Sequence, residues 1–108
     1  ALKHVLPDGP AWTLRGNGGL HSTIVDIYRF HRALREGAII PQEGFEKMIA
    51  KQVRELPTEQ YFYGYGIGRM VIENGEVYGH NGSNGVFYAD LRHYMDHDVT
   101  VISMSIVA

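Results

Sequence analysis

Cysteine is absent from these 108 residues. That excludes disulfides, thiolate zinc sites and a cysteine nucleophile, and it leaves the redox compartment open. Proline is scarce at 4 and tryptophan at 1. No apolar run approaches the ~20 residues of a bilayer span, so no membrane span is expected. Neither sign of charge dominates, with a net charge of -2 and 20% charged residues. No broad basic face for nucleic acid or anionic lipid is therefore expected. No signal peptide is visible at Ala1. The chain does not start with Met, which gives the expectation that it begins within a longer protein. No Gly-x-Ser-x-Gly elbow, Ser-x-x-Lys pair or phosphate-loop pattern occurs.

What is present suits one domain with a real core. Hydrophobic residues make up 44%, and the length is near the common domain size. Glycine is abundant, at 13 residues against an average near ~7%. Gly64, Gly66, Gly68, Gly75, Gly79, Gly82 and Gly85 fall close together, so backbone conformation dominates that region.

Ala1 to Gly19 shows no clear period. Pro7-Asp8-Gly9-Pro10 is turn chemistry, and Trp12 and Leu14 read as anchors. The best-signalled helix follows. Ser22 or Thr23 can cap it, and Thr23-x-x-Asp26 fits a capping box with Asp at the reaching position. Ile24, Ile27, Tyr28, His31 and Leu34 recur on one face, and Gly37 sits where a terminal glycine would end it. His31 reads as a packed, hydrogen-bonded core or boundary histidine. Pro41 can open a shorter helix that buries Phe45, Met48 and Ile49. Lys51 to Gln60 reads as a surface loop.

The remainder reads as antiparallel strands. Tyr61 to Glu73 is rich in aromatic and β-branched residues, and Gly64-x-Gly66-x-Gly68 within it is strand-like. Asn74-Gly75 is a hairpin signal. Glu76 to His80 is the return strand, Gly85 to Tyr94 alternates, and Met95-Asp96-His97-Asp98 is a turn. Val99 to Val107 is nearly all apolar, so both of its faces should be covered. Two helices followed by three or four strands give an α+β class, helices packed on an antiparallel β-sheet. Residues 1–108 form a single partial domain in this reading, with 1–60 mostly helix and loop and 61–108 strands.

The stretch from Val77 to Gly85 holds His80, Asn81, Ser83 and Asn84 among three glycines. It reads as a hairpin corner, since Gly and Asn are the ordinary turn residues. It also reads as a loop that presents an imidazole and backbone N–H groups to a small molecule. Of the serines, Ser22 is a cap or its neighbour, and Ser103 and Ser105 should face packed helices. Ser83 alone lies in a presenting loop, and no complete nucleophile-and-base set assembles. His93 and His97 lie four apart beside Asp96 and Asp98. That spacing converges on a helix, but here it crosses a strand end, so these read as exposed turn residues rather than a metal site. No cofactor is implied.

Gly18-Gly19-Leu20-His21-Ser22-Thr23 with its helix resembles the Gly-Gly-Leu-x-Ser-Thr segment of the serine β-lactamase-like family. That family includes class C β-lactamases, DD-peptidases, D-aminopeptidases and esterases. Tyr63-Gly64-Tyr65-Gly66-Ile67-Gly68 resembles its Tyr-Gly-x-Gly-Trp strand. Gly79-His80-Asn81-Gly82-Ser83 is similar to its third active-site motif in a His-x-Gly form. The resemblance implies the C-terminal portion of a β-lactamase/transpeptidase-like fold and hydrolysis of an ester, amide or β-lactam through an acyl-enzyme. It implies that His80, with Asn81, Gly82 and Asn84, borders the substrate, and that the Ser83 backbone N–H is an oxyanion donor. The family's Ser-x-x-Lys and Tyr-x-Asn motifs lie upstream of this stretch. The implied partner is therefore the N-terminal part of the same hydrolase, with an ester or amide as substrate. His where β-lactamases carry Lys removes a permanent cation and tilts the expectation toward esterase or peptidase-like chemistry. The alternative is a non-catalytic binding module that keeps this fold segment.

Overall fold

The computed structural model describes residues 16–106. The turn at Pro7 to Pro10 and the anchors Trp12 and Leu14 lie outside the described residues. Helix α1 spans Ile24–Arg35. Thr23 caps it as its sequence suggests, with Oγ1 accepting from the Asp26 N–H at 3.1 Å. The Asp26 carboxylate lies 3.6 Å from Arg29. At the other end Gly37 adopts φ +83, and the Ala38 N–H reaches back to Ala33 O at 2.9 Å. This is a Schellman closure, and it needs the left-handed residue that glycine supplies. Helix α2 spans Gln42–Ile49 behind Pro41 and buries Phe45 and Ile49.

Six strands follow: β1 Val53–Arg54, β2 Tyr61–Tyr63, β3 Gly68–Ile72, β4 Gly75–Ser83, β5 Tyr88–Tyr94 and β6 Val99–Ser105. They form one antiparallel sheet in the order β1-β2-β3-β4-β5-β6. The α+β class with helices against an antiparallel sheet therefore stands, with more strands than expected. β1 lies in what reads as a surface loop, because two residues are too few to show a period. Gly64 to Ile67 is the turn between β2 and β3 rather than strand. The Gly64 N–H bonds Ile67 O at 2.7 Å, and the Tyr65 N–H bonds Met48 O at 2.9 Å. A Cβ at position 64 would lie 2.1 Å from Met48 O. The end of α2 can close on the sheet only over a glycine.

The core is small and sits where the helices meet mid-sheet. Leu34, Phe45, Ile49, Ile67 and Tyr78 form it, with Ile40, Met48 and Met95 packed around. Tyr78 and its cross-strand partner His93 lie on the helix side of the sheet. His31 is buried as expected, at 3% exposure, and His93 is buried too, at 4%. That corrects the expectation of an exposed turn residue. His93 lies two residues along β5 from Leu91, on the inward face of the strand.

The expectation for the last strand also changes. Val99 is 47% exposed and Val101 49%. β6 is the outermost strand and pairs only with β5 among the described residues. Alternation turns Thr100 and Ile102 toward α1, so Val99, Val101, Ser103 and Ser105 take the other face. Both serines are exposed and do not face packed helices. No helix among the described residues is long and apolar enough to cross a membrane.

Candidate functional site

β4 carries the residues of interest along one continuous strand. Gly75 to Ser83 is unbroken, so His80, Asn81, Gly82 and Ser83 are strand residues and not a corner. The corner comes next. Asn84 Oδ1 accepts from Val86 N at 3.0 Å and Phe87 N at 2.8 Å. The Asn84 N–H bonds Phe87 O at 3.2 Å. Ser83 Oγ accepts from Gly85 N at 3.2 Å. The Asn84 carbonyl oxygen and the Ser83 hydroxyl thus serve the turn.

The ladder explains how His80 is presented. β3 starts at Gly68, which pairs with Gly79. His80 is the first β4 residue past that end and is exposed. Gly68 also pairs with Tyr63, so the two positions level with Tyr63 on β3 and β4 are glycines, Gly68 and Gly79. With no side chains between, the Tyr63 phenol oxygen reaches His80 Nε2 at 2.7 Å. Their rings meet edge to face at 5.8 Å. The other imidazole nitrogen, Nδ1, lies 2.6 Å from Asn81 O. A Cβ on Gly79 would fall 2.0 Å from Leu91 O, so the strand accepts only glycine there. A Cβ on Gly82 would meet nothing within 4 Å.

Tyr63, His80 and Asn81 border an open groove of about 270 Å³ that also takes in Tyr61, Met70 and Asp90. Val77, Gly79 and Asn81 alternate with Tyr78 and His80, so the groove floor lies on the sheet face turned away from α1, while the His80 side chain leaves β4 on the Tyr78 face and meets the Tyr63 hydroxyl past the end of β3. The cations at its wall are engaged. Arg92 Nε lies 2.9 Å from Asp90. Arg69 pairs with Glu76 and donates to Ile49 O at 3.0 Å. Lys51, which does not line the groove, lies 2.5 Å from the same Glu76. Lys51 and Arg69 together hold the Glu76 carboxyl below its usual range.

A second cluster of titratable groups is buried beneath α1. His31 Nε2 meets the Tyr78 hydroxyl at 2.7 Å, and His93 Nδ1 meets Thr100 Oγ1 at 2.8 Å. Burial, with His93 and Arg35 nearby, pushes His31 down to about 4. Burial also pushes Tyr78 up to about 12. His93 is lowered by burial and Arg35 against the opposing pull of Asp98. This cluster is tightly packed and turned away from the groove. Its place in the fold is to hold α1 on the sheet.

The structure thus brings His80, Asn81, Gly82 and Ser83 together with a residue that the sequence alone did not single out as a site residue, Tyr63. Its signal was the register: three residues in a row, Tyr63, Gly68 and Gly79, are hydrogen-bonded neighbours only once β2, β3 and β4 are paired. Among the described residues no three His, Asp or Glu side chains gather to hold a metal ion. No protein-family model matches the chain, and no curated protein matches it in sequence.

Proposed function

We propose that this chain is the C-terminal part of a serine acyl-transfer hydrolase of the β-lactamase-like kind, with β4 as one wall of its active site. The observation that carries this reading is His80, exposed beyond the end of β3 and held at the groove by Tyr63. The His-x-Gly motif is thereby set on an edge where a bound acyl group has access to it.

In this reading the nucleophile and its base come from a Ser-x-x-Lys segment upstream. The serine attacks the substrate carbonyl, forms an acyl-enzyme, and water releases the acid. Asn81 contacts the carbonyl, and the paired His80 and Tyr63 meet the polar group beside it. The Ser83 N–H donates to the developing oxyanion, a contribution worth about 2.7–4 kcal/mol where such donors have been removed. Gly82 keeps the wall low, since a side chain there would project into open space. The engaged state of Arg69 and Arg92 at the groove favours an ester or amide without a carboxylate.

A binding module without catalysis is the second reading, and the exposed apolar side chains of α1, including Val25 and Phe30, favour it. Intact mass spectrometry of material from the native source separates the two. A Ser-x-x-Lys segment, on the same polypeptide or on a tightly bound second one, together with hydrolysis of chromogenic esters, is the expected result. A lone, folded, monodisperse chain of 108 residues without esterase activity would overturn the hydrolase.

A further inference from the structure

We infer that Tyr63 is a positioning residue that fixes the tautomer of the neutral His80 imidazole, with the proton on Nδ1. The assignment follows from what each partner can do. The Asn81 backbone oxygen, 2.6 Å from Nδ1, can only accept, so Nδ1 carries a proton. In the neutral ring Nε2 is then an acceptor, and the Tyr63 hydroxyl, 2.7 Å away, donates to it. Both nitrogens are committed, and the phenol oxygen keeps its lone pairs toward the groove.

Three features of the backbone build this lock. Gly68 opens β3 opposite Gly79, which leaves a gap without side chains. Tyr63, on the far side of Gly68, spans that gap. Gly79 admits no Cβ, because Leu91 O lies 2.0 Å from where one would stand. A replacement at any of the three positions alters the reach from phenol to imidazole.

The lock has a consequence for ligands. An acceptor such as a carboxylate finds no proton on Nε2. A group that donates a hydrogen bond can bond the Tyr63 oxygen directly or take the place of the phenol at Nε2. In this tautomer the Nε2 lone pair is open to a ligand donor only when that donor displaces the Tyr63 hydroxyl. The inference rests on the hydrolase reading only where it makes His80 a substrate contact; the tautomer itself stands on this chain alone.

The test is long-range ¹H–¹⁵N NMR of the imidazoles in the uniformly labelled chain, at about pH 8, above the ordinary histidine range. The His80 signal is assigned by its loss in His80→Gln. The expected result is an Nδ1–H pattern for His80, and a shift of roughly fivefold toward Nε2–H in Tyr63→Phe, the equivalent of one net hydrogen bond of ~1 kcal/mol. A dominant Nε2–H form in the native chain would overturn the inference, and so would an unchanged ratio in a folded Tyr63→Phe. If Tyr63→Phe fails to fold, the native spectrum decides by itself. Because no turnover is read, failure here is distinct from failure of the hydrolase, which would show as absent ester cleavage with the Nδ1–H pattern intact.

Discussion

The Tyr78 hydroxyl lies 2.7 Å from His31 Nε2, and this bond joins the middle of α1 to the strand that carries the candidate site. Tyr78 is 2% exposed, so either partner is left buried and unpaired when the other is removed. Tyr78→Phe is expected to cost about 1–3 kcal/mol. Adding His31→Leu should recover part of that loss, because the orphaned nitrogen goes with it. Urea unfolding of both single variants and the double variant gives the comparison, and a purely additive double variant would show that the bond does not couple the two.

The same cluster sets a pH dependence. His31 is held near 4, well under its ordinary value, so the unfolded chain takes up a proton first as pH falls. Stability is complete above about pH 6.5 and declines between there and about pH 4, by about 1–2 kcal/mol after allowance for solvent screening. Tyr78, held near 12, favours its neutral form in the folded state, so stability also falls as pH rises past about 10. The check is the denaturation midpoint across this range. His31→Gln should flatten the acid limb, and an acid limb identical to the native one would remove His31 as its source.

Glycines separate fold from site. Gly64→Ala puts a Cβ 2.1 Å from the Met48 carbonyl oxygen and is expected to cost about 1–3 kcal/mol or more, as an overpacked contact does. Gly82→Ala meets nothing within 4 Å and should stay within about 0.5 kcal/mol of the native chain. Thermal unfolding of the pair reads this directly. A destabilised Gly82→Ala with an unaffected Gly64→Ala would contradict the packing described.

Asn84 illustrates a residue with a structural duty beside any contact with substrate. Its Oδ1 takes the N–H groups of Val86 and Phe87, so Asn84→Ala is expected to lose about 1–2 kcal/mol. Asn84→Asp keeps the acceptor and should retain most of the stability. Equal stability of all three chains, measured by urea unfolding, would show that the turn does not depend on this side chain.

Much of the fold was legible because it is written locally. The Thr23 cap, the Gly37 closure, the buried Phe45 and Ile49 and the turn at Met95 to Asp98 each depend on a few adjacent residues. What was not legible depends on pairing. The split of Tyr61 to Glu73 into β2, a turn and β3 is imposed by α2, whose Met48 carbonyl takes the Tyr65 N–H. The burial of His93 depends on its place opposite Tyr78. The exposure of Val99 and Val101 depends on β6 being outermost, which a run of apolar residues does not reveal. For the site, His80, Asn81, Gly82 and Ser83 were legible as a motif. Tyr63 was legible only as part of a resembling strand, since its bond to His80 crosses two other positions of the ladder.

The account is tested most directly by kcat/KM for a neutral chromogenic ester, native against His80→Ala, in a polypeptide that joins this chain to the proposed Ser-x-x-Lys segment. The expected result is a fall of at least about tenfold, corresponding to ~1.4 kcal/mol of lost transition-state stabilisation, with the melting temperature held. An unchanged kcat/KM in a folded variant would take His80 out of the mechanism and the proposed active-site wall with it.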